Sequence, residues 1–199
     1  MALSDSVSNR LKYALNNETD SDELVAAIDA NTAVTSVQLD MTPGTGISTG
    51  TGTICEHSVI KVGGLYKTTI MLDLTGLNSG GTAGDIIGVD GGTANCHIGQ
   101  ITAAKNGTIF AGSLTCLELP AGGDPDINLY SAVEATGAQD ADIATLDETQ
   151  LLNSGDLVSG TTLALTAYPA ADEYLYLACG VATDADYTAG IIQIELWGK

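Results

Sequence analysis

Basic residues are scarce in this chain. Six Lys and Arg stand against 25 Asp and Glu, which gives a net charge of −19 over 199 residues. A polyanion such as DNA, or the anionic face of a membrane, is bound mainly through clustered Lys and Arg. The six bases are instead scattered along the sequence: Arg10, Lys12, Lys61, Lys67, Lys105 and Lys199. We therefore expect neither nucleic acid nor a membrane among the partners of this protein.

Long apolar runs and a signal peptide are also missing from the sequence. No stretch approaches the roughly 18 apolar residues of a membrane helix, and Asp5 and Arg10 stand where a signal peptide has its apolar region. We expect a chain that is made and folded in a cytoplasm. Its four cysteines, Cys55, Cys96, Cys116 and Cys179, are then expected to be reduced and buried rather than paired as disulfides.

Glycine is abundant, with 24 residues, whereas Phe and Trp occur once each. Period-two alternation of apolar and polar residues over 65–74 and 173–181 predicts antiparallel strands with one buried and one solvated face. A last strand is predicted where Ile192, Ile194 and Leu196 alternate with Gln193 and Glu195. Weaker alternation marks five further segments: 53–62, 95–104, 107–119, 127–135 and 161–168. Gly pairs separate most of them, and 138–151 has room for a helical turn. We predict an all-β protein whose body is an antiparallel β-sandwich or jelly roll.

The N-terminal stretch differs from this body. Apolar residues recur at helical spacing over 3–15 and again over 24–34, which predicts two short amphipathic helices. Such helices are marginal alone in water and need a partner surface. We predict an N-terminal helical arm over 1–39, a flexible Gly/Thr-rich linker over 40–52 and the β-sandwich body over 53–199. Whether the arm packs on its own body or on another subunit stays open.

No catalytic signature accompanies these segments. Only His57 and His97 are candidate bases, and no nucleophile elbow or phosphate-binding loop is present. We therefore expect no enzyme, no cofactor and no catalytic residues. Cys55, His57, Cys96 and His97 are the residue types of a zinc site, but Cys96 and His97 are adjacent and point to opposite faces of a strand. We predict no metal site there.

Two other groups of residues carry alternatives. Carboxylates suited to calcium are closely spaced in two loops, for which a solvated acidic rim is the favoured interpretation. Tyr174 and Tyr176 alternate with Leu175 and Leu177, so we expect the two tyrosines to face solvent or a neighbouring subunit, where they and Trp197 can stack on sugars. The acidic residues concerned are Asp124, Asp126, Asp140, Asp142, Asp147 and Glu148.

Three motifs give the body a family resemblance: Gly84-Asp-Ile-Ile-Gly88, Gly122-Gly-Asp-Pro-Asp-Ile-Asn-Leu-Tyr130, and Thr183-Asp-Ala-Asp-Tyr-Thr-Ala-Gly190, which runs into Glu195-Leu-Trp-Gly198. With them, residues 53–199 resemble head-decoration or capsid-associated structural proteins of tailed phages of marine bacteria. The opening Met-Ala-Leu-Ser-Asp-Ser-Val-Ser-Asn-Arg-Leu is similar to the start of such proteins. The resemblance implies an all-β fold on the capsid exterior, often as a homotrimer, and it transfers no active-site residue.

Together these observations predict a non-enzymatic virion protein, assembled in the host cytoplasm, that decorates or cements the outside of a phage head. Its partner would be the major capsid protein, and many weak contacts on a symmetric lattice would add through multivalency. The alternative function is a glycan-binding head fibre or host-recognition module.

Overall fold

The computed structural model describes residues 41–199, so the predicted arm over 1–39 lies outside the described residues. Nine strands and three short helical segments make up this part of the chain. In order they are α1 (Thr45–Ser48), β1 (Ile54–Val62), β2 (Leu65–Asp73), β3 (Gly99–Gln100), α2 (Ala103–Asn106), β4 (Ile109–Ala121), β5 (Ile127–Ala132), a 3-10 turn (Ile143–Thr145), β6 (Glu148–Leu152), β7 (Thr162–Ala164), β8 (Tyr174–Cys179) and β9 (Ala189–Gly198). None of these helices is long and apolar enough to cross a membrane.

The strands form two antiparallel sheets around one hydrophobic core. A five-stranded sheet has the order β1-β2-β9-β4-β7, and a four-stranded sheet has the order β3-β8-β5-β6. Buried residues of both sheets belong to a single cluster that consists mainly of Ile and Leu, with some Cys, Ala, Met and Tyr. The predicted all-β, sandwich-like fold is confirmed.

Alternation places the five-stranded sheet on this core. On β2, Ile70 and Leu72 are fully buried, and on β9 so are Ile192 and Ile194, while the residues between them are at least partly exposed. Ile70 pairs with Ile194 and Leu72 pairs with Ile192, so the buried side chains form rows across the sheet. Directly opposite residues share one face, and the sequence pattern therefore predicts these two strands correctly.

The two central strands of the four-stranded sheet, β8 and β5, are buried on both faces. All of β8 after its first residue is buried, as is β5 apart from Tyr130. Loop residues form the outer cover: Ile86 makes a bridge to Ala178, and the space beside Gly137 is filled by Ile86, Leu146 and Tyr176. The prediction that Tyr176 faces solvent or another subunit is wrong for this reason, since its side chain is fully buried beneath the loop layer.

The segment predicted as a flexible linker is packed into the body. Met41 is 2% exposed and Ile47 is fully buried, and Thr45–Ser48 forms a helical turn. Backbone hydrogen bonds join Gly44 N to His97 O and Gly46 N to Asn95 O, each at 2.8 Å. The prediction of a flexible linker over 41–52 is therefore wrong. Glycine here lets the backbone lie directly against the segment around Asn95, because a Cβ on Gly44 would be 2.0 Å from Asn95 O.

Strand limits differ most where loops replace the predicted strands. Within the predicted strand 95–104 only Gly99–Gln100 forms a strand, with an isolated bridge from Asn95 to Ala138, and within 161–168 the strand is Thr162–Ala164. The helical turn predicted in 138–151 is the 3-10 turn, and Asp142 caps it by accepting a hydrogen bond from Ala144 N. The body thus consists of a regular sheet on one side and a loop-covered sheet on the other.

Candidate interaction face

The outer face of the five-stranded sheet carries an unusual share of the exposed apolar side chains. Eleven large hydrophobic residues are exposed among residues 41–199, and seven of them lie on strands of this sheet: Ile54, Ile60, Val62, Met71, Phe110, Leu117 and Leu119. No strand of the four-stranded sheet holds one of the eleven. The remaining four are Val133, Val158, Tyr168 and Val181, in connecting segments. Clustered exposed hydrophobic residues are typical of interaction surfaces.

The strand register shows how the apolar residues share this outer face. Ile70 and Leu72 point into the core, so Met71 between them points outward. Met71 is paired with Glu56 on β1 and with Gln193 on β9. A second row joins Ile60, Lys67 and Trp197 across three strands. At β4 the regular register is broken by bulges around Phe110 and Leu117, which add these side chains to the sheet's exposed residues.

Polar groups at the centre of the outer face largely bind one another. Lys67 Nζ lies 2.6 Å from Glu195 Oε1 and 5.8 Å from the centroid of the Trp197 ring. Gln193 Nε2 donates to the same Glu195 oxygen at 2.9 Å, and the hydroxyls of Thr115 and Thr162 are 2.9 Å apart. Because these groups already have partners, covering the face with an apolar surface leaves few polar groups without a hydrogen bond.

The five-stranded sheet also differs from the rest of the described residues in its net charge. The strands of the five-stranded sheet hold four acids and two bases, a net charge of −2. The rest of 41–199 holds fourteen acids and two bases, a net charge of −12. The excess negative charge of the body therefore lies in the loops and the other sheet. We call the outer side chains of β1, β2, β9, β4 and β7 the sheet face.

The residues proposed for sugar stacking do not form a common surface. Tyr176 is buried, and its hydroxyl donates to Glu134 O at 2.8 Å. Tyr174 is partly buried, with its ring centroid 4.9 Å from that of His97. Trp197 lies on the opposite sheet beside Lys67. The arrangement therefore gives no platform from these three rings.

The four cysteine and histidine side chains considered as zinc ligands do not come together at one point. Cys55 Sγ is 3.7 Å from His57 Nε2, which donates to Ile98 O at 2.6 Å. Cys96 is buried and bonds to Ala94 O, whereas His97 stacks on Tyr174. Burial raises the pKa of the Cys55 thiol to about 12 and that of Cys96 to about 11, so both stay protonated at neutral pH. All four cysteines are free thiols.

One of the two predicted acidic loops is structural rather than solvated. Asp124 is 2% exposed, and its carboxylate accepts hydrogen bonds from Asp126 N at 3.1 Å and Val181 N at 2.7 Å. Burial, followed by the charges of Asp124 and Asp156, raises the pKa of Asp126. The prediction of a solvated rim is therefore wrong for Asp124, which fixes the approach of two chain segments.

The second acidic loop meets a carboxylate that the sequence analysis did not single out. Asp85 is 6% exposed and accepts from Thr82 N at 2.6 Å, while Asp140 Oδ1 accepts from Gly81 N at 2.9 Å. Burial raises the pKa of Asp85, and the neighbouring Asp140 and Asp142 add to the rise. Among residues 41–199 no three His, Cys, Asp or Glu side chains are arranged to hold a metal ion.

Sequence reasoning missed the sheet face, although a signal for it exists. On β4, Leu114 and Cys116 already supply the inward positions, so the neighbouring Phe110, Leu117 and Leu119 exceed what one buried face needs.

Comparison with known proteins adds no identification: no family model matches the chain, and neither a curated protein nor a solved structure is significantly similar to it.

Proposed function

We propose that this protein is a non-enzymatic virion protein that decorates or cements the outside of a phage head, and that its sheet face contacts the major capsid protein. The observation that carries the proposal is the separation of an apolar, weakly charged face from a strongly acidic remainder. The resemblance of residues 53–199 to head-decoration proteins supports the choice of partner, and it remains a sequence-based expectation.

The physical argument concerns which surface can approach a partner. A net charge of −12 over the loops and the four-stranded side repels nucleic acid and other acidic surfaces. The strands that carry the sheet face hold a net charge of only −2, and removing the face's apolar side chains from water is favourable. Docking through this face leaves the acidic side in solvent, where it keeps decorated particles from adhering to one another.

Repetition on a shell would compensate for a modest single contact. A phage head presents the same surface many times, so several linked contacts raise the overall affinity without any new interaction. Cross-bridging neighbouring shell subunits then resists their separation, which is the stabilising action of a cement protein. No bond is made or broken in this role, and the protonated thiols of Cys55 and Cys96 are consistent with it.

The test measures binding to purified heads that lack the protein. Met71→Glu and Ile60→Glu place a charge on the sheet face at side chains that are 40% and 51% exposed. Val133→Glu is the matched control, since Val133 is 55% exposed but lies outside the sheet. Losing burial of one such side chain, about 1.5–3 kcal/mol, lowers affinity roughly tenfold to a hundredfold. We expect this loss for the face variants and little change for the control.

Salt dependence distinguishes the two sides of the molecule. Binding through the apolar sheet face changes little between low and high ionic strength, whereas binding through the acidic loops weakens steeply as salt screens the charges. A steep loss of binding in salt, or equal losses for Val133→Glu and Met71→Glu, would contradict docking through the sheet face. Failure of every form to bind heads would remove the proposed function itself.

A further inference from the structure

Only one asparagine of this chain is followed by glycine, and it is buried. Asn106 is the last residue of α2, it is fully buried, and Gly107 follows it with φ of 69°. Asparagine loses its side-chain amide most readily before glycine, because glycine has no Cβ to shield its backbone nitrogen or to restrict its rotation. The sequence therefore makes Asn106 the most reactive asparagine of the chain, and the fold determines whether it reacts.

The reaction is a cyclisation followed by hydrolysis. The backbone nitrogen of Gly107 loses its proton and forms a bond to Cγ of Asn106, the bond from Cγ to Nδ2 breaks, and the amide nitrogen takes up the proton and leaves as ammonia. Water then opens the five-membered imide at one of its two carbonyls. The product is either aspartate or isoaspartate, in which the backbone runs through the side-chain carbon.

In the folded chain each group that takes part in the cyclisation is held by a hydrogen bond. The attacking nitrogen, Gly107 N, donates to Ala103 O at 3.1 Å. The amide oxygen of Asn106 accepts from Thr102 N at 2.9 Å, and the amide nitrogen donates to Thr68 Oγ1 at 2.9 Å. Cyclisation must break these bonds inside a site that excludes the water needed for hydrolysis.

Neighbouring elements close the site on two sides. Nδ2 of Asn106 also lies 3.5 Å from Sδ of Met41, which is 2% exposed. On the backbone side, the end of β9 lies so close that Gly198 has no room for a Cβ beside Asn106 O. Thr108 and Lys199 exchange two backbone hydrogen bonds next to this contact. Water therefore reaches the amide only when α2 separates from β2 and from the end of β9.

We propose that Asn106–Gly107 is a deamidation site gated by the fold: the amide persists while α2 is packed against β2 and β9, and it is lost to water after this contact opens. The modification depends on no partner and on no part of the proposed function.

The product destabilises the closed contact. A carboxylate replaces the amide in a site without solvent, where an ionised group costs more free energy than a neutral one. Thr102 N still donates to it, but Met41 Sδ has no proton to offer. Isoaspartate also lengthens the backbone, which moves Gly107 N away from Ala103 O. An opening event that ends in deamidation is therefore not reversed by closing.

The experiment follows the loss of the Asn106 amide by peptide mass spectrometry of the full-length chain. The folded chain, the chain unfolded in urea, and a synthetic peptide of residues 102–111 with and without urea are incubated at one neutral pH and temperature. We expect the peptide and the unfolded chain to react at similar rates. The folded chain should react at least about a hundredfold more slowly, because a fully packed element is open in only a small fraction of molecules.

Thr68→Val and Thr69→Val are a matched pair of variants. Thr68 is fully buried and accepts from Asn106, whereas Thr69 is the next residue and points to the other face of β2. Losing the acceptor of a buried amide should raise the deamidation rate of the folded chain about tenfold in Thr68→Val. Thr69→Val should stay within about twofold of the parent chain. In urea all three chains should react equally.

The reaction product is examined separately with Asn106→Asp. We expect this variant to unfold at a lower urea concentration than the parent chain at neutral pH. Equal deamidation rates in the folded and unfolded parent chain would refute protection by the fold. Equal rates in folded Thr68→Val and Thr69→Val would refute gating by the contact of α2 with β2. Equal urea midpoints for Asn106→Asp and the parent would refute the destabilising effect of the product.

Discussion

Replacing Ile47 with alanine tests whether the segment before β1 belongs to the folded body. The side chain is fully buried, and its turn is held by hydrogen bonds from Gly46 N to Asn95 O and from Val89 N to Gly46 O. Truncating a buried Ile removes transfer free energy and leaves a cavity, at a cost of about 2–5 kcal/mol. In a chain of this length each kcal/mol lowers Tm by about 2–4 °C, so we expect a fall of about 4–20 °C.

The matched control is Ile54→Ala. Ile54 is 55% exposed, so the same chemical change there removes little buried surface and costs well under about 1 kcal/mol. Calorimetry and urea unfolding of the two full-length variants measure the difference directly. If Ile47→Ala and Ile54→Ala unfold at the same temperature and urea concentration, residues 41–52 are a tether after all, and the packing described for Ile47 is refuted.

Three other changes have defined outcomes. Because the pKa of Asp85 is raised above its ordinary value of 3.8, its stabilising contribution is full below that pH and is lost as pH rises through the raised pKa. Asp85→Asn should therefore raise the midpoint urea concentration of unfolding at pH 7, and it should make the decrease of that midpoint between pH 4 and pH 7 smaller. Asp90 is exposed, so Asp90→Asn should change neither quantity. Tyr176→Phe should cost about 1–3 kcal/mol in urea unfolding, because Gly137 N and Glu134 O lose the hydroxyl. With a pKa of about 11, the Cys179 thiol is about 0.1% ionised at pH 8, so a chromogenic disulfide reagent should label it only on unfolding; rapid labelling of the folded protein would contradict its burial.

The sequence pattern predicted the regular strands because a sheet with one wet face leaves a direct record in the chain. On β9 each buried Ile or Leu is followed by a residue that stays partly exposed, and the same holds for most of β2. This alternation is local and does not depend on distant contacts. The antiparallel sandwich could therefore be predicted from the sequence, and so could the approximate limits of β1 and the position of the 3-10 turn.

The second face of the four-stranded sheet was not predictable in the same way. Alternation separates Tyr176 from Leu175 and Leu177, but it does not reveal what lies beyond the tyrosine. The cover comes from residues far away in sequence, with Ile86 and Leu146 packing near Tyr176 around Gly137. A residue opposite a buried one is solvated only when no loop returns over it, and that return is a tertiary property.

Composition misled the interpretation of 41–52 for a related reason. Its Gly and Thr residues are typical of flexible linkers, and the same small residues are also what close backbone packing requires. Gly46 shows the second use, since a Cβ there would lie 2.4 Å from Cys96 Sγ and 2.6 Å from Ala94 O. Whether such a segment is a linker or is packed depends on whether another segment lies against it. Here that segment is 94–97, and the sequence of 41–52 does not identify it.

The two sheets of this molecule thus differ in what covers their outer faces. Loops cover the outer side of β5 and β8, and they carry much of the acidic charge, including the buried Asp85. The outer side of β1, β2 and β9 lacks such a cover among residues 41–199 and keeps exposed apolar side chains instead. Under the proposed function, a shell protein would cover this face in place of loops of the chain itself. A face variant such as Met71→Glu should weaken head binding while leaving the circular dichroism of the free protein unchanged.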